Sequence, residues 1–95
     1  MNITGRELNE KLKNENINLI DIRDQVNYQS GTIGNAVNIP VNTLITNYGR
    51  YLNKNDKYYI FCNYGSTSSK LCSFLRKNGY NVVNLIGGYQ AYKKN

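Results

Sequence analysis

Lys57-Tyr58-Tyr59-Ile60-Phe61-Cys62 runs without a break into Asn63-Tyr64-Gly65-Ser66-Thr67-Ser68. The first six residues are rich in β-branched and aromatic side chains, which fit a pleated, half-buried surface, and they read as a strand. The next few cannot extend it, because Gly65 turns the backbone and three hydroxyl residues follow. A helix is then predicted from about Thr67 to Asn78, with Leu71, Cys72, Phe74 and Leu75 on its apolar side and Gly79 ending it. Asn81-Val82-Val83-Asn84-Leu85 is the next strand, Gly87-Gly88 turns the chain, and residues 89–94 form a last short helix.

Strand, tight loop, helix and strand in that order make a parallel crossover unit, and the N-terminal half repeats the alternation. Thr4 with Glu7 has the form of a capping box, and Leu8 and Leu12 lie one turn apart, so 5–14 reads as a helix. Ile17, Leu19, Ile20 and Ile22 form a compact apolar run, the signature of a strand buried on both faces. Residues 24–30 make a helical turn closed by Gly31, and 36–39 a short strand stopped by Pro40. Residues 42–48 are a short helix, capped by Asn42, with Leu44 and Ile45 facing inward. The expected fold is α/β: a central parallel sheet of four or five strands flanked by helices on both faces, in one domain over 1–95.

Composition narrows the function. The chain carries 12 Lys and Arg against 6 Asp and Glu, a net charge of +6. All six anions lie in residues 1–56, so the whole excess falls after them, around Cys62, where a positive field favours anions and a thiolate; a solubilising surface is the bland alternative. With no His, the chain has no Cys-His or Ser-His catalysis and no Cys/His zinc site. Two cysteines, Cys62 and Cys72, are too few for a disulfide framework. No signal peptide and no apolar run of ~18 residues is present, so a soluble cytoplasmic protein without membrane contact is expected. The nine tyrosines and the basic charge raise nucleic-acid binding, but no RNA-binding signature accompanies them, and Tyr58, Tyr59, Tyr80 and Tyr92 fall at strand or packing positions.

In open α/β sheets ligands bind at the carboxyl ends of the strands, where Cys62 sits. Loop amides and a following helix N-terminus there stabilise a thiolate and a bound sulfur anion. Ser66, Thr67 and Ser68 add hydroxyls, and Tyr64 is expected either as one wall of the pocket mouth or as plain loop cover. This is nucleophilic chemistry that needs no acid–base partner. The plain alternative is a packed, inert cysteine at a strand end.

These residues resemble the rhodanese homology domains. Leu19-Ile20-Asp21-Ile22-Arg23 is similar to the family strand ending in Asp-x-Arg, and Tyr28, Gly31, Ile33, Ala36, Asn38, Ile39 and Pro40 to the segment after it. Cys62, Gly65 and Ser68 match the loop Cys-x-x-Gly-x-Arg-Ser, and Gly79-Tyr80-Asn81-Val82 with Gly87-Gly88-Tyr89-Gln90-Ala91-Tyr92 match the closing segment. The resemblance implies a sulfurtransferase that moves sulfane sulfur from a donor such as thiosulfate to a thiol acceptor. Cys62 is its persulfide carrier, residues 63–68 (Asn63, Tyr64, Gly65, Ser66, Thr67, Ser68) its cradle, and Asp21 and Arg23 its supports. It implies no dissociable cofactor and no metal. A small anion and a thiol, or a partner-protein cysteine, are the implied partners. Thr67 stands where active members often carry Arg, Thr32 replaces the usual His, Gly34-Asn35 the usual Pro-Gly, Asn27 a common acidic residue and Tyr92 the usual Trp. The loop departure favours weak thiosulfate turnover, and with it the alternative of a binding or sulfur-relay module. Cysteine phosphatases need Arg six residues after the Cys, and that position is Ser68. Cys72 is either a resolving thiol or, as its spacing with Leu71 and Leu75 suggests, a core residue.

Overall fold

A computed structural model describes residues 1–94. Five parallel strands, β1 (Asn2–Ile3), β2 (Asn18–Asp21), β3 (Val37–Asn38), β4 (Lys57–Phe61) and β5 (Asn81–Leu85), form one sheet in the order β1-β5-β4-β2-β3. The helices are α1 (Gly5–Asn14), α2 (Gln25–Ser30), α3 (Val41–Tyr51), α4 (Ser66–Lys77) and α5 (Gly88–Tyr92).

Alternation along the strands divides the core in two. Ile20, Tyr58, Ile60, Cys62 and Val82 face α3 and α4, meeting Leu44, Leu71, Cys72 and Leu75. Leu19, Tyr59, Phe61, Val83 and Leu85 point the other way and are covered by Leu8 of α1, with Leu12, Tyr89 and Tyr92 at the edge. The three interior strands, β5, β4 and β2, carry apolar side chains on both faces because both faces are covered. The capping box opens α1: the Glu7 N–H donates to Thr4 Oγ1 at 3.1 Å and the Thr4 N–H to Glu7 Oε1 at 2.9 Å.

Several local expectations are corrected. α3 begins at Val41 with Pro40 before it, so Asn42 is not its cap. The Val41 N–H is instead satisfied by the Ile22 carbonyl at 3.0 Å. α3 continues to Tyr51, past a non-helical Asn47 (φ −131°, ψ 30°). Leu44 is fully buried, but Ile45 is 42% exposed: the inward stripe runs through Val41, Leu44 and Tyr48, and Ile45 lies about 100° round the helix from it. α4 begins at Ser66, a residue earlier than expected, since Gly65 takes the left-handed conformation (φ +102°) and ends the loop. Phe74 lies at the rim of the core, half-exposed and edge-on to Tyr48. β1 is a strand beyond those expected; it pairs with Asn84 and Leu85.

Candidate functional site

Cys62 follows β4 directly, so its side chain continues the face that carries Tyr58 and Ile60 and points under the start of α4. It is 7% exposed. The Gly65 N–H donates to Cys62 Sγ at 3.1 Å and the Ser68 N–H at 3.3 Å. Ser68 Oγ lies 3.2 Å from the same sulfur. Two backbone donors at a helix N-terminus thus converge on a single atom, an arrangement that stabilises negative charge there, while the thiol itself donates to Ser68 Oγ.

The loop owes its shape to backbone packing against the β5–α5 turn. The Tyr89 N–H donates to the Cys62 carbonyl at 2.9 Å, and the Gln90 N–H to the Asn63 carbonyl at 3.0 Å. Two left-handed glycines allow this approach. A Cβ on Gly88 would lie 2.5 Å from the Cys62 carbonyl oxygen, and one on Gly65 would lie 2.9 Å from the Gly87 nitrogen.

Asp21 and Arg23 brace the site from β2. Arg23 Nη2 donates to Asp21 Oδ2 at 2.7 Å and Nε to Oδ1 at 3.0 Å, and both side chains are buried. Arg23 Nη2 also donates to the Gly31 carbonyl, and its guanidinium lies 4.0 Å over the Tyr89 ring. The Thr32 hydroxyl donates to Asp21 Oδ2 at 2.8 Å, so Thr at this position joins the same network. Asn38 Nδ2 donates to the carbonyls of Asp21 and Arg23, both at 2.9 Å.

In front of Cys62 lies a depression of about 290 Å³ lined by Ile22, Arg23, Asp24, Asn27, Val41, Asn63, Tyr64, Ser66 and Thr67. Its volume suits a small anion or the end of a thiol rather than a large cofactor. Tyr64 stands 74% exposed at the mouth. Arg23 is the one cation in this lining; its Nε donates to Asp21 and its Nη2 to Asp21 and the Gly31 carbonyl. The Asp24 carboxylate, which accepts from the Asn27 N–H at 2.8 Å to cap α2, contributes a negative wall.

The structure therefore brings together all the loop residues expected at the site, with Gly65 and Ser68 touching the sulfur and Asn63, Tyr64, Ser66 and Thr67 around it. Asp21 lies behind it and braces Arg23, whose side chain lines the depression. Asn84 joins the site without having been expected there: its Oδ1 accepts from the Ser68 hydroxyl, although Asn84 is 16 positions away on β5. The available signal is a buried polar residue in the otherwise apolar run Val82-Val83-Asn84-Leu85. Cys72 is fully buried in the core under α4, and burial pushes its thiol up to about 11.

The fold and this loop define a small α/β protein with a cysteine at the carboxyl end of a central parallel strand. The family model for the Rhodanese-like domain matches residues 4–95, and the chain belongs to that family. It is 32% identical over 92 residues to the putative sulfurtransferase YtwF of Bacillus subtilis (strain 168), covering 96% of this chain and 88% of that protein. Among solved structures, the rhodanese-like domain protein of Staphylococcus aureus superposes with a TM-score of 0.86 at 36% identity, covering 97% of this chain and 91% of that one. Other relatives are longer: the chain spans 31% of the tRNA uridine(34) hydroxylase of Buchnera aphidicola, to which it is 29% identical over 97 residues, 95% of its own length.

Proposed function

We propose that residues 1–95 act as one sulfurtransferase domain that carries sulfane sulfur as a persulfide on Cys62. The observation that carries this reading is the convergence of the Gly65 and Ser68 amides on Cys62 Sγ. With thiosulfate as donor, the Cys62 thiolate attacks the outer sulfur, the sulfur–sulfur bond of thiosulfate breaks, and its electron pair leaves with sulfite. The cysteine now bears a terminal sulfur with one negative charge. An acceptor thiolate attacks that sulfur, takes it as its own persulfide and returns the Cys62 thiolate. The amides that face Sγ supply charge stabilisation throughout, and the cycle needs neither a cofactor nor a metal. Support comes from relatives named as sulfurtransferases, including the thiosulfate sulfurtransferase GlpE of Coxiella burnetii, 29% identical over 92 residues. Two free thiols suit a reducing cytoplasm.

The donor is open to a second reading, a sulfur-relay role, because the one cation lining the depression, Arg23, is already paired with Asp21. Thr67 replaces the loop Arg, and Asp24 adds an exposed carboxylate to the rim of the lining. A persulfide of lower charge, borne by a small thiol or a partner-protein cysteine, suits these walls better than thiosulfate. A phosphatase reading has no support, since Ser68 occupies the position where a phosphate clamp needs Arg.

Intact mass tests both readings. Wild type is expected to gain one sulfur from thiosulfate slowly and from glutathione persulfide faster, to lose it to excess thiol, and to gain none as Cys62→Ser. An adduct that survives in Cys62→Ser would sink the assignment. Thr67→Arg adds a charged donor and is expected to speed loading from thiosulfate about tenfold. An unchanged rate would show that charge at this wall does not select the donor.

A further inference from the structure

Ser68 has one hydroxyl proton and three neighbours that compete for it: Cys62 Sγ at 3.2 Å, the Gly65 carbonyl at 3.2 Å and Asn84 Oδ1. The Gly65 carbonyl already accepts from the Ser69 N–H at 3.0 Å. Asn84 Oδ1, much the nearest of the three, is the acceptor that holds the proton away from the sulfur. The hydroxyl oxygen is then free to accept from the Cys62 thiol, which gives a directed chain from thiol to hydroxyl to amide oxygen. That chain suits a neutral thiol only. A thiolate has no proton to give and needs one donated to it.

Asn84 can serve both states. Its amide presents an acceptor on one side and a donor on the other, and the two are nearly equal in size. Rotated by half a turn, Nδ2–H would donate to Ser68 Oγ, and the Ser68 proton would turn to the sulfur. Val82, two residues earlier on β5, fills the same core face with apolar bulk. Asn84 continues that face at 5% exposure, where burying an amide is costly unless it is hydrogen-bonded.

We infer that Asn84 is a positioning residue whose buried amide, by turning, directs the Ser68 hydroxyl to match the protonation state of Cys62. The inference rests on Cys62 being the reactive thiol, but not on any sulfur donor. Without Asn84 the thiol form keeps an acceptor in the Gly65 carbonyl. The thiolate form loses the donor that polarises the Ser68 hydroxyl. Asn84→Ala is thus expected to disfavour the thiolate, and only through Ser68.

The test is the pH profile of Cys62 alkylation by iodoacetamide, with the site assigned by peptide mapping, in wild type, Asn84→Ala, Ser68→Ala and the double variant. The ionisable and charged groups around Cys62 stay constant across the set: Arg23 and Asp24 at the mouth, Tyr64 on the loop, Tyr48 on α3, Cys72 on α4 and Tyr89 on α5. Asn84→Ala is expected to move the profile to higher pH and slow alkylation at neutral pH roughly three- to tenfold. Added to Ser68→Ala, it is expected to change nothing further. Equal shifts with and without Ser68, or no shift at all, would overturn the inference. Should the Ala variant fail to fold, Asn84→Leu fills the site without hydrogen bonds and is read by the same cycle. Sulfur loading of the wild type, measured separately, tests the persulfide reading, so one failure is not mistaken for the other.

Discussion

Asp21 and Arg23 show what a single buried pair does for this site. Both side chains are nearly inaccessible, and every donor contact of Arg23 that is seen runs to Asp21 or the Gly31 carbonyl. Removing one partner leaves an uncompensated buried charge, which typically costs 3–5 kcal/mol. Arg23→Ala is therefore expected to destabilise the domain by about 3–5 kcal/mol in urea unfolding. Arg23→Lys, which lacks the planar fork and the stacking on Tyr89, should recover only part of that loss. Full recovery by Lys would mean that charge alone matters here. At this scale Cys62, Gly65 and Ser68 were readable from sequence, because strand end, turn glycine and helix start are local and each implies its own backbone geometry. Asn84 was not, because its partner Ser68 comes from another element and only the sheet brings the two together. The Thr32 hydroxyl was seen as a departure from a pattern; its bond to Asp21 depends on a fold contact across 11 residues.

Between elements, the Cys62 loop and the β5–α5 turn are held backbone to backbone. Gly88 is in the left-handed region at φ +63°, and its missing Cβ leaves room for the Cys62 and Asn63 backbone at 2.5–2.6 Å. Gly88→Ala must both strain that φ and push the loop outward. It is expected to cost about 2 kcal/mol or more and to weaken the Gly65 and Ser68 contacts to sulfur. A melting curve and the alkylation rate of Cys62 report the two effects. A variant that keeps wild-type alkylation would separate the turn from the site. Element type was legible wherever the apolar period was clear, as in β2, β4 and α4. Boundaries were less so, because long-range bonds fix them: the Ile22 carbonyl holds the Val41 N–H where α3 starts, and β1 exists by pairing with β5. Two residues such as Asn2 and Ile3 carry no period of their own.

Across the whole molecule, the sheet separates two cores, and the one that carries Cys62 also encloses Cys72. Among the described residues no helix is long and apolar enough to cross a membrane. Cys72 links this packing to pH. Burial raises its thiol from the ordinary 9.0 to about 11, so the folded chain holds that proton more tightly than the unfolded chain. Below pH 9 both states are protonated, and the stabilisation is fully present. As pH rises from 9 towards 11, the unfolded chain ionises first and draws the equilibrium towards itself, by up to about 1.4 kcal/mol per pH unit. Urea midpoints measured from pH 7 to 11 are expected to fall more steeply for wild type than for Cys72→Val, which fills the site without a titrating group. The two curves should run parallel up to pH 9 and separate above it. The same burial predicts that mild peroxide forms no disulfide between Cys62 and Cys72, because a protonated, inaccessible thiol is a poor partner for an oxidised Cys62. Curves that stay parallel to pH 11 together with ready disulfide formation would show that the core under α4 opens in the native state, and would turn Cys72 from a packing residue into a resolving thiol.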